Sequence, residues 1–132
     1  MVILVKCIKS FGEQIKENEI YLVLEIYCNL ENQSINYRII DSDGYPALYR
    51  EANFVIVSGK VDNMIFTRRG RSGIISHESI QDFYLNNNHV DGFWGLYFDK
   101  VSSELEDILQ EVVIELANSE NVEPPILQIK RD

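Results

Sequence analysis

Residues 20–28 read Ile20-Tyr21-Leu22-Val23-Leu24-Glu25-Ile26-Tyr27-Cys28, and no other stretch says more about the fold. Successive side chains of a β-strand point to opposite faces of a sheet. Both faces of this stretch are mostly apolar, which is typical of a strand covered on both sides and predicts a central position in the sheet. One face would carry Ile20, Leu22, Leu24, Ile26 and Cys28, and the other Tyr21, Val23, Glu25 and Tyr27.

Shorter strand-like runs flank this stretch. They are Ile3–Ile8 before it, and Tyr37–Ile40, Ala47–Tyr49 and Phe54–Val57 after it. The segments between the runs are too short for helical crossovers, so the strands must pair mostly in antiparallel fashion. Five short strands within residues 2–57 predict a small antiparallel β-barrel.

Residues 2–57 also resemble the SH3-like barrels of small uncharacterised bacterial and phage proteins. The resemblance covers less than half of the chain and rests on structural motifs, so it implies a fold and says little about activity. It is carried by Val5-Lys6-Cys7-Ile8, the loop at Gly12, Tyr21-Leu22-Val23, Tyr37-Arg38-Ile39-Ile40-Asp41, Asp43-Gly44-Tyr45-Pro46, Tyr49 and Phe54-Val55-Ile56-Val57.

Residues 60–132 are predicted to form an α/β extension, so that residues 1–132 make a single α+β domain. A short helix beginning near Ser76 and an aromatic linker over residues 91–98 lead to the main helix, about 103–118. Ser103 and Glu106 have the spacing of a capping box at its start. Its apolar residues fall on one stripe, which predicts that the helix packs on the barrel: Leu105, Ile108, Leu109, Val112, Val113 and Leu116.

The chain is strongly acidic, with 21 acidic and 12 basic side chains and a formal net charge of −9. Such a protein is repelled by nucleic-acid phosphates and by anionic membranes, so if its charge serves a partner, a basic protein is expected, with no nucleic acid and no membrane. The alternative is that the acidity only keeps a small protein soluble. The acidity is concentrated in the last helix. We predict that its partner-binding face consists of Glu104, Asp107, Glu111 and Glu115.

Catalytic and metal motifs do not emerge from the sequence. His77 and His89 have no companions at metal-ligand spacing, and Cys7 and Cys28 lie in apolar runs as expected of buried, reduced thiols. No catalytic residue, metal or cofactor is therefore predicted. Reduced thiols and the lack of a signal peptide or membrane-spanning stretch indicate a cytoplasmic protein.

The Arg68–Arg71 loop is the one basic cluster, and three interpretations of it stay open. It could bind a phosphate or an RNA backbone, form a solvated hairpin tip, or act as an internal partner for the acidic helix.

In type, the chain is similar to bacterial toxin-immunity proteins, which are small, acidic and cytoplasmic. That resemblance implies a non-enzymatic protein that neutralises a basic toxin, such as a nuclease, by binding it directly. The alternative hypothesis is a phage or bacterial SH3-like interaction module of unknown partner, and an enzyme is the least favoured class.

Overall fold

A computed structural model of the protein describes residues 4–58, 64–80, 92–99 and 103–128. The fold is α+β, with a seven-stranded antiparallel sheet and a C-terminal helix. None of the described helices is long and apolar enough to cross a membrane. The elements are β1 (Leu4–Cys7), β2 (Ile20–Asn29), β3 (Ile35–Ile40), β4 (Pro46–Arg50), a 3-10 turn (Glu51–Asn53), β5 (Phe54–Ser58), β6 (Met64–Arg69), β7 (Ser72–His77), α1 (Gly92–Asp99) and α2 (Ser103–Ser119).

Strand β2 occupies the centre of the sheet, as its two apolar faces predicted. One of its edges pairs with β3. The other edge pairs with β1 along the first half of the strand and with β7 along the second half. The strand order is β4-β3-β2-β1-β5, and β6 joins the sheet through β7.

The predicted antiparallel pairing is confirmed, but closure of the strands into an SH3-like barrel is not. Among the described strands no ladder joins β4 to β5, so the sheet is open. The hairpin of β6 and β7 extends the sheet from the second half of β2. Local sequence patterns could not show this, because residues 72–76 pair with residues 25–29, more than 40 positions earlier.

A β-bulge interrupts the regular alternation of β2. Val23 lies opposite Ile39, but Glu25 already lies opposite Arg38, so β2 carries one residue more than β3 in this interval. The extra residue shifts the phase of the side chains that follow. Strict alternation predicted that Glu25 and Val23 lie on the same face, but the bulge places Glu25 on the opposite face.

Two hydrophobic clusters lie on the sheet. The strand cluster is built from residues of β1, β2, β3 and β5 and of the loop after β1: Val5, Cys7, Ile15, Tyr21, Val23, Ile26, Tyr37, Ile39 and Phe54. The helix cluster joins the sheet to both helices and to the chain beyond α2: Leu4, Leu22, Leu24, Ile40, Ile80, Phe93, Trp94, Tyr97, Leu105, Leu109, Val112, Val113, Leu116, Ala117 and Leu127.

Helix α2 packs through the predicted stripe. Leu105, Leu109, Val112, Val113 and Leu116 are buried, and Ile108 packs partly against the same cluster. The predicted end at residue 118 differs from the observed Ser119 by one position. The predicted packing of this helix is therefore confirmed.

The aromatic segment before α2 is a helix rather than a linker. Its two glycines led the sequence to be interpreted as a connection, but residues 92–99 form α1. Phe93, Trp94 and Tyr97 are buried in the helix cluster, so packing of the aromatic rings outweighs the low helix propensity of glycine. Of the short helix predicted near Ser76, residues 78–80 are helical, and the part beyond them lies outside the described residues.

A buried polar contact fastens α1 to the sheet. Trp94 Nε1 donates a hydrogen bond of 2.6 Å to Glu25 Oε2. Arg38 lies beside them, with Nε 3.7 Å from Glu25 Oε1 and its guanidinium carbon 4.3 Å from the centre of the Trp94 ring. Arg38 also donates to the carbonyl oxygen of Pro46 at 3.1 Å. Burial raises the pKa of Glu25 above its usual value, although Arg38 and the Trp94 hydrogen bond act in the opposite direction.

The chain beyond α2 returns to the β3–β4 turn. Gln128 N–H donates to the carbonyl oxygen of Gly44 at 3.0 Å, and Leu127 is buried in the helix cluster. Gly44 has φ +85°, and a Cβ atom there would lie 2.9 Å from both Gln128 N and Ile126 O. Glycine is therefore required at this position both by backbone conformation and by space.

We expect the variant Glu25→Gln to reveal the raised pKa of Glu25 through the pH dependence of stability. A carboxyl group with a raised pKa in the folded state binds more protons there than in the unfolded chain, so its contribution to stability falls as pH rises. The free energy of unfolding of the wild type should therefore increase relative to Glu25→Gln as pH is lowered from 7 towards about 4.3. Urea titrations across this range, with the exposed Glu13→Gln as control, measure the difference, and a relative decrease on acidification would contradict the assignment.

Substitution of Gly44 should also distinguish two sources of strain. Gly44→Ala should lower the free energy of unfolding by about 2–4 kcal/mol, because it combines an unfavourable backbone conformation with a steric clash. Gly70→Ala is the matched control, since Gly70 has φ +60° and a Cβ atom added there would have no neighbour within 4 Å. The control should cost only about 1 kcal/mol. If both variants lose the same free energy of unfolding in urea titrations, residues 126–128 do not pack against Gly44.

Candidate functional site

The predicted acidic face of α2 is partly available to a partner. Glu104, Asp107 and Glu111 are exposed. Glu115 is about half exposed, with 47% of its side-chain surface accessible, and its Oε2 contacts Nε2 of His77 on β7. The structure thus brings three of the four predicted residues to the open surface and ties the fourth to the sheet.

The contacts of His77 define its tautomer. His77 is buried, and its Nδ1 accepts a hydrogen bond of 3.1 Å from Ser79 N–H. A ring nitrogen that accepts a hydrogen bond carries no proton, so Nε2 carries the proton of the neutral ring and donates it to Glu115. The Glu115 carboxylate therefore helps to hold α2 on β7.

The Arg68–Arg71 loop forms the tip of the β6–β7 hairpin. Arg71 pairs with Glu31 at 3.0 Å, and both side chains are largely exposed. Arg68 Nε donates to the carbonyl oxygen of Gly70 at 3.2 Å. Of the three interpretations, a solvated hairpin tip agrees best with these contacts. The side chain of Arg69 lies outside the described residues.

The two cysteines differ in their surroundings. Cys7 is fully buried, as predicted, whereas Cys28 is partly exposed, and neither forms a disulfide. Burial raises the pKa of both thiols above the usual value, which lowers the fraction of reactive thiolate. Within the described ranges no three His, Cys, Asp or Glu side chains lie together as metal ligands would, and His89 lies outside those ranges.

A groove that the sequence did not indicate lies between β4 and the first loop, residues 8–19. It has a volume of about 410 Å³. The loop forms one wall, and β3, β4 and the 3-10 turn form the other. The residues that line the groove are Lys9, Ser10, Phe11, Asn36, Leu48, Tyr49, Arg50 and Asn53.

Phe11 is held in an exposed position within this groove. A tight turn at Gly12, with φ +56°, lets Phe11 and Ile15 exchange backbone hydrogen bonds of 3.1 and 3.4 Å. Ile15 is fully buried in the strand cluster, while Phe11 is 62% exposed. The Phe11 ring meets Tyr49 edge-on, with the ring centres 6.1 Å apart. The buried residue thus anchors the loop, and the exposed one is displayed.

Polar contacts fix the first loop against the β3–β4 turn. Ser42 N–H donates to the carbonyl oxygen of Gln14 at 2.8 Å. The hydroxyl groups of Tyr21 and Ser42 lie 3.1 Å apart, and Lys16 N–H donates to the Tyr21 hydroxyl at 2.8 Å. These contacts make the first loop and the turn one unit, so the groove has a defined shape.

Tyr49, in the second wall, is fixed in the same way. Its hydroxyl donates a hydrogen bond of 2.8 Å to Asp41 Oδ2. Burial, followed by this hydrogen bond, raises the pKa of Tyr49 far above its usual value. The hydroxyl therefore stays protonated, and the ring keeps a fixed position beneath Phe11.

The groove carries positive charge in an acidic protein. Lys9 and Arg50 line it, no acidic side chain does, and neither cation forms an ion pair within the described part of the chain. The amides of Asn36 and Asn53 add hydrogen-bonding groups. This combination of apolar, cationic and amide groups can bind a ligand.

Sequence reasoning overlooked the groove because its walls come from segments some 40 residues apart. One signal was present, namely a phenylalanine flanked by Lys9-Ser10 and Gly12-Glu13. A large apolar side chain in a loop either enters the core or contacts a partner.

Comparison of the chain with protein-family models, with curated proteins and with solved structures finds no match.

Proposed function

We propose that this protein is a non-enzymatic protein-binding module that takes up an extended segment of a partner in the groove beside β4. The observation that carries the proposal is the fixed exposure of Phe11. Its ring is 62% exposed, yet the loop that bears it is anchored by the fully buried Ile15.

Such a fixed aromatic ring suits binding for an energetic reason. Association normally costs free energy because loops and side chains at the interface must become ordered. Here the first loop is already ordered by its contacts with Tyr21 and Ser42. Burial of the exposed part of Phe11 by a partner would then stabilise the complex by about 1–2 kcal/mol, and aromatic residues are frequent centres of binding energy.

The interaction-module hypothesis draws support from the arrangement of the first five strands. Their order is β4-β3-β2-β1-β5, and a 3-10 turn links β4 to β5. Both features agree with an SH3-like architecture for residues 2–57, which we retain as a proposal. The groove lies where the first loop faces this turn, with Asn53 O accepting hydrogen bonds from the backbone of Ile8 and Lys9.

A second candidate function is immunity through the acidic face of α2. It is favoured by the exposure of Glu104, Asp107 and Glu111 on the helix that packs through its opposite side. In this proposal a basic toxin in the cytoplasm would be steered to the helix by charge and neutralised by direct binding. The two candidates use different surfaces and require partners of different charge, so variants can separate them.

The groove proposal predicts that Phe11→Ala removes peptide binding. A display library of random twelve-residue peptides is panned on the folded wild type, and enriched peptides are measured by calorimetry. Phe11→Ala should weaken them at least tenfold, because the main apolar contact is lost. Phe66→Ala is the matched control, since Phe66 is 60% exposed on β6 and does not line the groove. If no peptide is enriched, or if every enriched peptide binds both variants equally, the groove does not bind peptides.

The immunity proposal predicts an effect of Glu104→Gln/Glu111→Gln on association rate. A basic protein should copurify with the wild type from the native host, and the helix variant should bind it more slowly at low salt. Glu115 is left intact because its carboxylate contacts His77. Glu13→Gln/Glu17→Gln removes the same charge from the first loop and should leave the rate unchanged. An unchanged rate and salt dependence in the helix variant would exclude this surface.

A further inference from the structure

We infer that the segment bound in the groove is acidic and extended, and that it adds a strand to the free edge of β4. This inference rests on the proposed function of the groove and names the chemistry of its occupant. It follows from the charge of the lining, from the position of β4 in the sheet, and from the exposed side chains at the mouth of the groove.

The charge of the groove is opposite to that of the protein as a whole. The chain has 21 acidic side chains for 12 basic ones, so a groove lined by two cations and no acidic side chain differs from the protein as a whole. Lys9 and Arg50 form no ion pair within the described ranges, and the groove contains no acidic side chain. Glu51 follows Arg50 in sequence but does not line the groove. Two cations left without anions are complementary to carboxylates supplied by a partner.

The position of β4 selects an extended conformation. Three consecutive residues of this strand, 48–50, line the groove. These residues, together with Asn36 on β3 opposite Arg50, place the groove at the Arg50 end of β4. Among the described strands β4 pairs with β3 alone, which leaves that edge available for backbone hydrogen bonds. An added strand is the usual way in which such an edge binds a peptide.

The side chains around this edge offer two kinds of contact to a bound segment. Phe11 and Leu48 are exposed, at 62% and 39%, and offer an apolar surface. Lys9 and Arg50 offer positive charge. A segment with alternating residues of two kinds would therefore place an apolar side chain against Phe11 and carboxylates towards the two cations.

The inference is tested with the peptides that bind the groove in a Phe11-dependent manner. Their sequences should be enriched in Asp and Glu relative to the library, and replacement of these residues by Asn and Gln should weaken binding about tenfold. Lys9→Gln/Arg50→Gln should weaken the acidic peptides to a similar extent and reduce the salt dependence of binding. Lys16→Gln/Arg68→Gln is the control, because it removes the same charge from exposed residues outside the groove.

The outcomes separate the inference from the proposed function. Phe11-dependent peptides that are neutral or basic, or that bind Lys9→Gln/Arg50→Gln unchanged, would overturn the acidic occupant and leave the groove as a binding site. Absence of any Phe11-dependent peptide would overturn both. If a single-stranded oligothymidylate binds in a Phe11-dependent manner and more tightly than any peptide, the occupant of the groove is a nucleic acid and not a peptide. Self-association that is lost in both Phe11→Ala and Ile126→Ala would mean that the occupant is a second copy of this chain, which exposes the acidic Glu123 and the apolar Ile126.

Discussion

The hydrogen bond from Trp94 to Glu25 exists because β2 carries one residue more than its partner β3. Strict alternation would direct Glu25 to the face of Val23, into the strand cluster, where a carboxylate would be buried among apolar side chains. The bulge turns Glu25 towards α1 and lets Ile26 enter the strand cluster instead. The one inserted residue therefore places an apolar side chain, Ile26, in the strand cluster and lets the Glu25 carboxylate accept a hydrogen bond on the other face. Helix α1, and α2 which packs beside it, depend on that change of phase.

The fold could be predicted from sequence wherever a local period decides it. The stripe of α2 and the apolar runs of the strands are such periods, and the helix, the antiparallel pairing and the central position of β2 agree with them. The bulge could not be predicted in this way, because residues 20–28 fit regular alternation equally well. A single charged residue in an apolar strand was the available sign, since Glu25 needs a partner when it is buried. Its partners Arg38 and Trp94 come from distant parts of the chain.

The same distinction applies to the surfaces. Helical spacing was sufficient to place Glu104, Asp107 and Glu111 on one exposed face. It could not show that Glu115 contacts His77, because that contact depends on where β7 lies beneath the helix. The groove depends still more on tertiary structure. Phe11 and Tyr49 are brought together only when the first loop folds over the β3–β4 turn.

The two hydrophobic clusters have a consequence for the order in which the chain can fold. The fully buried residues of the strand cluster all lie within residues 5–54, and Ile75 of β7 packs against them later. The helix cluster includes Leu4 and Leu127 and cannot close before residue 127 has been synthesised. During translation, which proceeds from the N-terminus, the groove and its anchoring residues belong to the part that can assemble first. The β2 edge that later receives β7, and the Glu25 carboxylate that later receives Trp94, would stay open to solvent and to chaperones until the remaining residues arrive.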